Sequence, residues 1–244
     1  MYHFFVTPAG VRGEQIYIEG SDVNHIRNVL RMKAGEELCI NDGNGTEYLC
    51  KIAEISPDKI ICDIISAGFA GTEPPVRYYL FQGLPKADKF EYIIQKSVEL
   101  GAFEIIPVKT ARSIVKYEEK KAKTKLERWN KISESAAKQS RRGIIPRVKE
   151  ITAFREALDY AGELDINLIP YENFKSMDET RAVYEKIKPG MSVGIFIGPE
   201  GGFEQAEVAA ANAAGAYTVS LGSRILRTET APLALLSVLN YILE

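Results

Sequence analysis

The chain has 244 residues, of which 45% are hydrophobic and 26% are charged, with a formal net charge of −2. This composition is typical of a globular chain with one large or two modest domains, and the net charge alone does not indicate a nucleic-acid partner. No apolar run approaches the roughly 20 residues of a transmembrane helix, and the start lacks the features of a signal peptide, so we predict a cytoplasmic protein without membrane association.

The cysteines and histidines limit the kinds of metal and catalytic site. Cys39, Cys50 and Cys62 lie on separate strand-like runs and form no CxxC pair, which predicts buried free thiols. The histidines are His3 and His25, so a Ser-His-Asp triad would have to use one of them. A zinc site has few candidate ligands here, and we predict no metal cofactor.

The first part of the chain is predicted to be mostly β-strand. Short strand-like runs and the hairpin turn "DGNG" at residues 42–45, which requires positive φ, predict a small barrel. Gly, Ser, Thr and two prolines in "SAGFAGTEPPV", residues 66–76, predict a linker after it. The strand-like runs are "FFV", "QIYIE", "ELCIN", "TEYLCKIAEI" and "KIICDII".

One helix, "SDVNHIRNVLR", is predicted within this first domain, with Ser21 or Asp22 as its N-cap. At about 100° per residue, four apolar residues share the face that would pack on the barrel. Arg27 and Arg31 fall on the opposite side, which fits either two solvated arginines or a pair of phosphate contacts. The apolar face consists of Val23, Ile26, Val29 and Leu30.

The rest of the chain alternates strand-like and helix-like runs, which predicts an α/β domain with a parallel sheet covered on both faces. Its first helix, "DKFEYIIQKSVELG", carries a buried stripe and ends at Gly101. The stripe consists of Phe90, Ile93, Ile94, Ser97 and Val98.

A basic segment lies within this second domain. Residues 109–149 contain fourteen Lys or Arg and four Glu, although the chain as a whole is slightly acidic. Such a segment fits either a surface that attracts a phosphate backbone or a solvated helix rich in lysine.

Two unusual loops follow strand-like runs, where open α/β sheets bind ligands. The loop "IGPEGGF", residues 197–203, contains Gly198, Gly201 and Gly202, whose missing side chains would let a polar heterocycle reach the backbone. It matches neither the P-loop nor the GxGxxG pattern, and an ordinary glycine-rich turn stays an alternative. In the second loop, "LGSRILRTETAP", charged and apolar residues interleave, as in a pocket for a mixed ligand or an Arg-Glu pair that caps the last helix.

Taken together with four further segments, these loops resemble the ribosomal RNA small-subunit methyltransferase E family over the whole chain. The further segments are "FFV" at the start, "HIRNVLRMKAGEEL", "PKADKFEYIIQKSVELG", and "QSRR" followed by "IP". The resemblance implies that the chain methylates N3 of a uridine in 16S rRNA, within the small ribosomal subunit, using S-adenosylmethionine. It also implies a PUA-like RNA-binding β-barrel over residues 1–70, a SPOUT-type domain with a C-terminal trefoil knot over residues 71–244, and a homodimer.

The resemblance also implies roles for individual residues. Loops 197–203 and 221–226 would form the cofactor pocket, with residues 168–172 as a third loop. Arg227, Glu229 and Thr230 would lie nearest the reacting centre, where we expect a cation to stabilise the uridine anion and a carboxylate or water to take its proton. The predicted cofactor-binding residues are Gly198, Glu200, Gly202, Leu221, Gly222, Ile225 and Leu226. The predicted RNA-binding residues are Arg27, Arg31, Lys86, Arg141 and Arg142.

The chain departs from the family pattern at two places. Tyr2 and His3 stand where the family commonly has an arginine, so that task would fall to His3, to Arg12 or to no residue. Lys138 stands where the family often has Glu. Two other interpretations stay open: a non-catalytic RNA-binding module, and a SPOUT methyltransferase that acts on another RNA or on a ribose oxygen.

Overall fold

A computed structural model of the chain describes residues 1–69, 71–86, 88–113, 119–173 and 176–243. The chain forms two compact units. Unit one consists of Met1–Glu73 and Ala137–Ile145, and unit two consists of Pro74–Ala136 and Pro146–Glu244. None of the helices within the described ranges combines the length and apolar character needed to cross a membrane.

Unit one is built on a six-stranded sheet with the strand order β1-β4-β5-β6-β3-β2. Only β1 and β4 pair in parallel; the other neighbours are antiparallel. A short helix, α1, lies between β3 and β4 in the chain. That the strands close into a barrel stays a prediction. The elements are β1 (His3–Phe5), β2 (Val11–Arg12), β3 (Gln15–Glu19), α1 (Ser21–Asn24), β4 (Glu37–Asn41), β5 (Thr46–Ile55) and β6 (Lys59–Phe69).

The predicted hairpin turn between β4 and β5 is confirmed. Gly43 and Gly45 have φ of 76° and 96°, a region that glycine enters without steric cost. The Asp42 carboxylate accepts hydrogen bonds from the backbone N–H groups of Asn44 (2.8 Å) and Thr46 (3.1 Å), which fixes the turn. The predicted start of the linker at residue 66 was wrong, because β6 continues to Phe69 while it pairs with the first residues of β5.

The predicted helix over residues 21–31 is correct in position and wrong in detail. Its N-cap is Gly20, and the residues after α1, His25–Val29, form a π-helical turn. The wider turn, closed by a hydrogen bond from Leu30 N–H to the His25 carbonyl (2.9 Å), changes the direction of the side chains that follow. Val29 is consequently 62% exposed instead of buried.

The core of unit one contains the predicted buried thiols. All three cysteines are free and buried. Burial, together with the nearby charge of Asp63, raises the pKa of Cys50 and Cys62 to about 12, so both thiols are protonated and unreactive at neutral pH. They pack with apolar side chains such as Ile16, Leu38 and Ile60.

Unit two contains the predicted parallel α/β sheet. The sheet order is β10-β8-β7-β12-β11-β13, with β9 beside β8, and all pairs are parallel. The trefoil knot stays a prediction. The strands are β7 (Arg77–Gly83), β8 (Ala102–Lys109), β9 (Arg147–Val148), β10 (Thr152–Ala153), β11 (Ile166–Pro170), β12 (Ser192–Ile197) and β13 (Tyr217–Val219). The helices are α2 (Lys89–Glu99), α3 (Glu119–Gln139), α4 (Phe154–Ala161), α5 (Met177–Tyr184), α6 (Gln205–Ala213) and α7 (Ala231–Leu243).

The packing of this unit confirms the predicted stripe of α2. All five stripe residues are buried, and Gly101 ends the helix with φ of 92°. The α2 residue Phe90 packs edge-on against Trp129 of α3, with ring centroids 4.6 Å apart. On the sheet, Phe81 and Phe196 stack at 4.4 Å. β11 pairs in parallel with both β12 and β13, so the loops that follow these three strands leave one edge of the sheet together.

Candidate active site

A cavity of about 480 Å³ lies at the carboxyl ends of β11, β12 and β13. Parallel strands end at the same edge of a sheet, so the loops that follow adjacent strands meet there. Three loops line the cavity: residues 170–172, 197–203 and 220–228. Lys89 and Ala231 complete the lining. The third loop that the sequence predicted, the tail of "LIPYE", is therefore part of this site.

The glycines of the 197–203 loop allow very close backbone packing. A Cβ atom on Gly198 would lie 3.0 Å from the Cα of Gly202, and one on Gly83 would lie 2.6 Å from the Cδ of Pro199. Gly202 has φ of 65°, and its N–H donates to the Pro199 carbonyl at 2.9 Å. The loop is thus a compact turn whose inner positions leave no room for a side chain.

Charged side chains hold this loop from outside the cavity. The Arg112 guanidinium donates to the Gly201 carbonyl at 2.8 Å. The Glu207 carboxylate accepts from the backbone N–H groups of Glu204 (2.9 Å) and Ala111 (2.8 Å), and so caps α6 and ties it to the segment after β8.

Thr228 joins the two main loops and was missed by sequence reasoning. Its hydroxyl donates to the Gly198 carbonyl at 2.7 Å and accepts from the Gln82 side chain at 3.0 Å. Thr228 and Gln82 are both buried. A threonine between charged residues gives no sequence signal of such a bridge, because the partner carbonyl lies 30 residues away.

Lys89, the other missed residue, stands between two carboxylates. Its ammonium lies 3.4 Å from Glu200 Oε1 and 3.3 Å from Glu229 Oε2. Burial acts to raise the pKa of Glu200, but hydrogen bonds from its own N–H and that of Lys86, with the Lys89 ammonium, hold that pKa below its usual value. Glu200 is therefore ionised at neutral pH. The buried Oε2 of Glu229 makes no hydrogen bond to any described residue, so Lys89 is its charge partner there.

The structure brings the predicted cofactor-binding residues together. All seven line the cavity, and Arg227 lines it beside them. Glu229 reaches the site through Lys89. Thr230 is not among the described lining residues; its N–H donates to the Arg227 carbonyl at 2.9 Å and its carbonyl accepts from Ala234 N–H at 3.0 Å, so it begins α7. The assigned roles in binding and catalysis stay predictions.

The predicted RNA-binding residues lie in both units. Arg27, Arg31 and Arg141 are exposed on unit one, and Lys86 is exposed on unit two. Arg31 and Arg141 have φ of 56° and 58°, which is uncommon for residues other than glycine. Their exposure leaves all four side chains accessible to a phosphate backbone.

Arg142 is a correction, because its surroundings do not suit a phosphate contact. It is 2% exposed. Its Nε and Nη2 donate to the two carboxylate oxygens of Glu73 at 2.9 and 2.6 Å, and the N–H of Gly143 donates to the same carboxylate. This forked ion pair ties residues 137–145 to the end of the first segment of unit one, and we withdraw Arg142 from the RNA-binding set.

The residues at the two departures from the family pattern make contacts within unit one. Lys138 lies 3.0 Å from the Asp22 carboxylate within unit one, so its charge is paired. The Arg12 guanidinium covers the Tyr17 ring at 4.8 Å and donates to the Ala9 carbonyl. His3 lies 3.4 Å from Glu47. None of these arrangements assigns the RNA contact of the missing arginine.

Comparisons with known proteins identify the family. An RNA methyltransferase domain model matches residues 72–240, and an RNA methyltransferase PUA domain model matches residues 18–65, which confirms the PUA-like prediction.

Relatives are similar over nearly the whole chain. Ribosomal RNA small subunit methyltransferase E of Bacillus subtilis is 42% identical over 93% of this chain and 90% of its own. The protein of that name from Mesomycoplasma hyopneumoniae is 32% identical over 97% and 98%. The crystal structure of the Neisseria gonorrhoeae enzyme, bound to S-adenosyl methionine, superposes with a TM-score of 0.84 at 32% identity and covers 99% of this chain and 98% of that one. The chain therefore belongs to the ribosomal RNA small subunit methyltransferase E family.

Proposed function

We propose that this chain transfers a methyl group from S-adenosylmethionine to N3 of one uridine in the 16S rRNA of the small ribosomal subunit, in the cytoplasm. The observation that carries the proposal is the cavity at the ends of β11, β12 and β13, where the three loops of the predicted cofactor site meet. The family relationship and the cofactor-bound structure of the Neisseria gonorrhoeae enzyme support it.

The cavity fits a cofactor of this kind in size and chemistry. Its volume of about 480 Å³ lies within the range of small-molecule sites. Backbone groups of the two glycine-containing loops can bind a purine edge, while Ile225 and Leu226 offer apolar contact. The lining carries side chains of both charges, which suits a ligand that has a sulfonium, an ammonium and a carboxylate group. They are Glu172, Glu200, Lys89, Arg224 and Arg227.

The proposed chemistry needs few catalytic groups. When bound, S-adenosylmethionine supplies an electrophilic methyl group, and alignment with the acceptor can account for ~7–11 kcal/mol of the barrier. N3 of uridine must lose its proton as it reacts. We assign Arg227 to stabilise the negative charge that develops on the uracil ring, and Glu229 to accept the N3 proton.

Lys89 suits the proton transfer because it stands between two carboxylates. When Glu229 gains a proton and loses its charge, the ammonium keeps Glu200 as an ion partner at 3.4 Å. Lys89, whose side chain is 34% exposed, therefore still has an ion partner after the transfer. Lys89 is therefore assigned as a positioning residue for Glu229.

We assign RNA binding to the exposed arginines of unit one together with Lys86. The π-helical turn and the segment 137–145 both belong to this unit, which places Arg27, Arg31 and Arg141 on one compact body. Guanidinium groups on a PUA domain can neutralise phosphates without reading sequence, so they position the RNA. The cavity, and not these phosphate contacts, would then select the target uridine.

Replacing Arg31 by alanine is expected to weaken binding of 16S rRNA fragments and to reduce the slope of log K against log salt by about 0.7–0.9, the loss of one phosphate contact. Fluorescence anisotropy over a salt series measures this. Arg155→Ala, which removes an exposed arginine of α4, should leave the slope unchanged. If Arg31→Ala and the wild type had the same slope, Arg31 would not contact a phosphate of the RNA.

We also propose that the chain forms a homodimer through the exposed face of α7. Val238, Tyr241 and Ile242 are 44%, 90% and 50% exposed and share one helix face at i, i+3 and i+4 spacing. Leu235, Leu236 and Leu239 of the same helix are buried. Contiguous exposed apolar side chains mark interaction sites, and a second copy of the chain would bury them.

Tyr241→Glu is expected to convert the dimer to a monomer, because it places a charge in the middle of this apolar face. Sedimentation velocity gives the mass directly. Met177→Glu, which changes an exposed apolar residue of α5, serves as the matched control and should stay dimeric. If the Tyr241→Glu chain formed dimers with unchanged affinity, α7 would not be the interface.

The reaction is tested with methyl-labelled S-adenosylmethionine and small ribosomal subunits that lack modifications. We expect label in 16S rRNA of assembled subunits. Calorimetric cofactor binding without transfer to any RNA would favour the non-catalytic RNA-binding interpretation. Transfer to transfer RNA in place of 16S rRNA would favour a SPOUT enzyme with another substrate.

A further inference from the structure

Three potential metal ligands meet on one face of the unit-one sheet, although the sequence separates them widely. His3 of β1 lies directly opposite Cys39 of β4 in the parallel pair. Asn41 of β4, two residues beyond Cys39 and on the same face, lies opposite Glu47 of β5. The strand register therefore brings an imidazole, a thiol and a carboxylate together. Their ligand atoms all lie within 4.8 Å of one another.

The imidazole of this cluster has an unsatisfied nitrogen. His3 Nδ1 is buried and makes no hydrogen bond to any described residue, although Glu47 Oε2 lies 3.4 Å away. A buried polar atom without a protein partner costs free energy, and a bound ion or water molecule can satisfy it. Cys39 is 8% exposed, and its thiol lies 3.1 Å from the thioether sulfur of Met1, a second soft donor.

We propose that His3, Cys39 and Glu47 bind one zinc-like divalent cation that cross-links β1, β4 and β5. Imidazole nitrogen, thiolate sulfur and carboxylate oxygen are the three donor types that Zn²⁺ uses in proteins. Tetrahedral bonds of about 2.0–2.3 Å place donors roughly 3.5 Å apart, so the widest pair must close by about 1 Å. The Met1 thioether or a water molecule completes the coordination. The site uses none of the residues assigned to methyl transfer.

The ligand set balances the charge of a dication. The Cys39 thiol loses its proton when it becomes a thiolate ligand of the metal. The bound state then pairs two negative ligands with two positive charges and releases one proton to the buffer.

The test is a calorimetric titration of the full-length, metal-free chain with Zn²⁺ in two buffers of different ionisation enthalpy. We expect one equivalent of Zn²⁺ to bind with release of about one proton, and Mg²⁺ not to bind. His3→Gln and Glu47→Gln change partly exposed side chains, so both variants should fold, and each should lose at least about tenfold in affinity.

Matched controls make the outcome decisive. His25→Gln changes the other histidine of unit one, and Glu54→Gln changes another β5 carboxylate; both should bind Zn²⁺ as the wild type does. A Co²⁺-loaded chain should show thiolate charge-transfer absorption that Cys39→Ser lacks. Absence of Zn²⁺ binding at micromolar concentration, or equal binding by the His3→Gln/Glu47→Gln double variant, would overturn the proposal.

Discussion

Replacing Gly198 by valine is expected to weaken binding of S-adenosylmethionine by ~100-fold or more, the equivalent of about 2.8 kcal/mol. The reason is steric. A Cβ at this position would lie 3.0 Å from two backbone atoms of Gly202 and 3.1 Å from the backbone nitrogen of Phe203. Backbone atoms cannot move aside as a flexible side chain does, so the whole 197–203 loop must shift, and the cavity that it lines changes shape.

The control for this substitution is Gly68→Val on β6 of unit one. A Cβ there has no atom within 4 Å, and valine is favourable in a strand. Isothermal titration with the cofactor and a thermal unfolding curve of each variant separate lost binding from lost folding. A folded Gly198→Val chain with wild-type affinity would show that this loop does not form the cofactor pocket.

Replacing Arg227 by alanine is expected to lower kcat by ~10²-fold while cofactor affinity stays within about twofold. Arg227 lines the cavity, is exposed to it, and is assigned to the charge that develops on the uracil ring. Removal of a single group that stabilises such charge commonly costs 10²–10³-fold in kcat. Because the interaction forms only as the base loses its proton, binding of the cofactor should not sense the change.

Single-turnover methylation of small subunits measures this effect without interference from product release. Arg181→Ala removes an arginine of α5 whose charge is paired with Asp178, and should retain full activity. Arg227→Lys keeps the positive charge but loses the planar guanidinium group with its paired N–H donors, so an intermediate rate is expected. Full methylation by Arg227→Ala with unchanged cofactor affinity would show that the assigned role is wrong.

Hydrophobic patterning predicted most of the architecture because its elements are locally encoded. The alternation of Ile16 and Ile18 with less buried residues in β3 and the 3.6-residue stripe of α2 are both visible in the local sequence. The turn at residues 42–45 could also be predicted from the sequence, because two glycines at positive φ specify the hairpin. The sheet edge that carries the site followed from where strands end, which needs no knowledge of packing.

Features that depend on distant partners could not be predicted. Val29 is exposed because of a π-helical turn, whereas a 3.6-residue pattern places it inside. Residues 137–145 belong to unit one through the Arg142–Glu73 pair, which joins positions 69 residues apart and leaves no periodic signal.

Within the site, the glycine-rich loop could be predicted from the sequence, but the side chains that connect it to other loops could not. Thr228 and Lys89 act through partners in other loops, at Gly198 and at Glu200 and Glu229. The His3–Cys39–Glu47 cluster likewise follows from strand register, so a count of the histidines and cysteines in the sequence gives no indication of it.

The most direct test of the proposed function is to locate the methyl group that the purified chain adds to unmodified small subunits. Mass spectrometry of 16S rRNA fragments identifies the nucleotide, and primer extension distinguishes the atom, because a methyl group on N3 blocks the Watson–Crick edge and a ribose methyl does not. We expect one modified uridine in 16S rRNA, with a strong extension stop at that position. A methyl group on a ribose oxygen, on another base or on another RNA would contradict it.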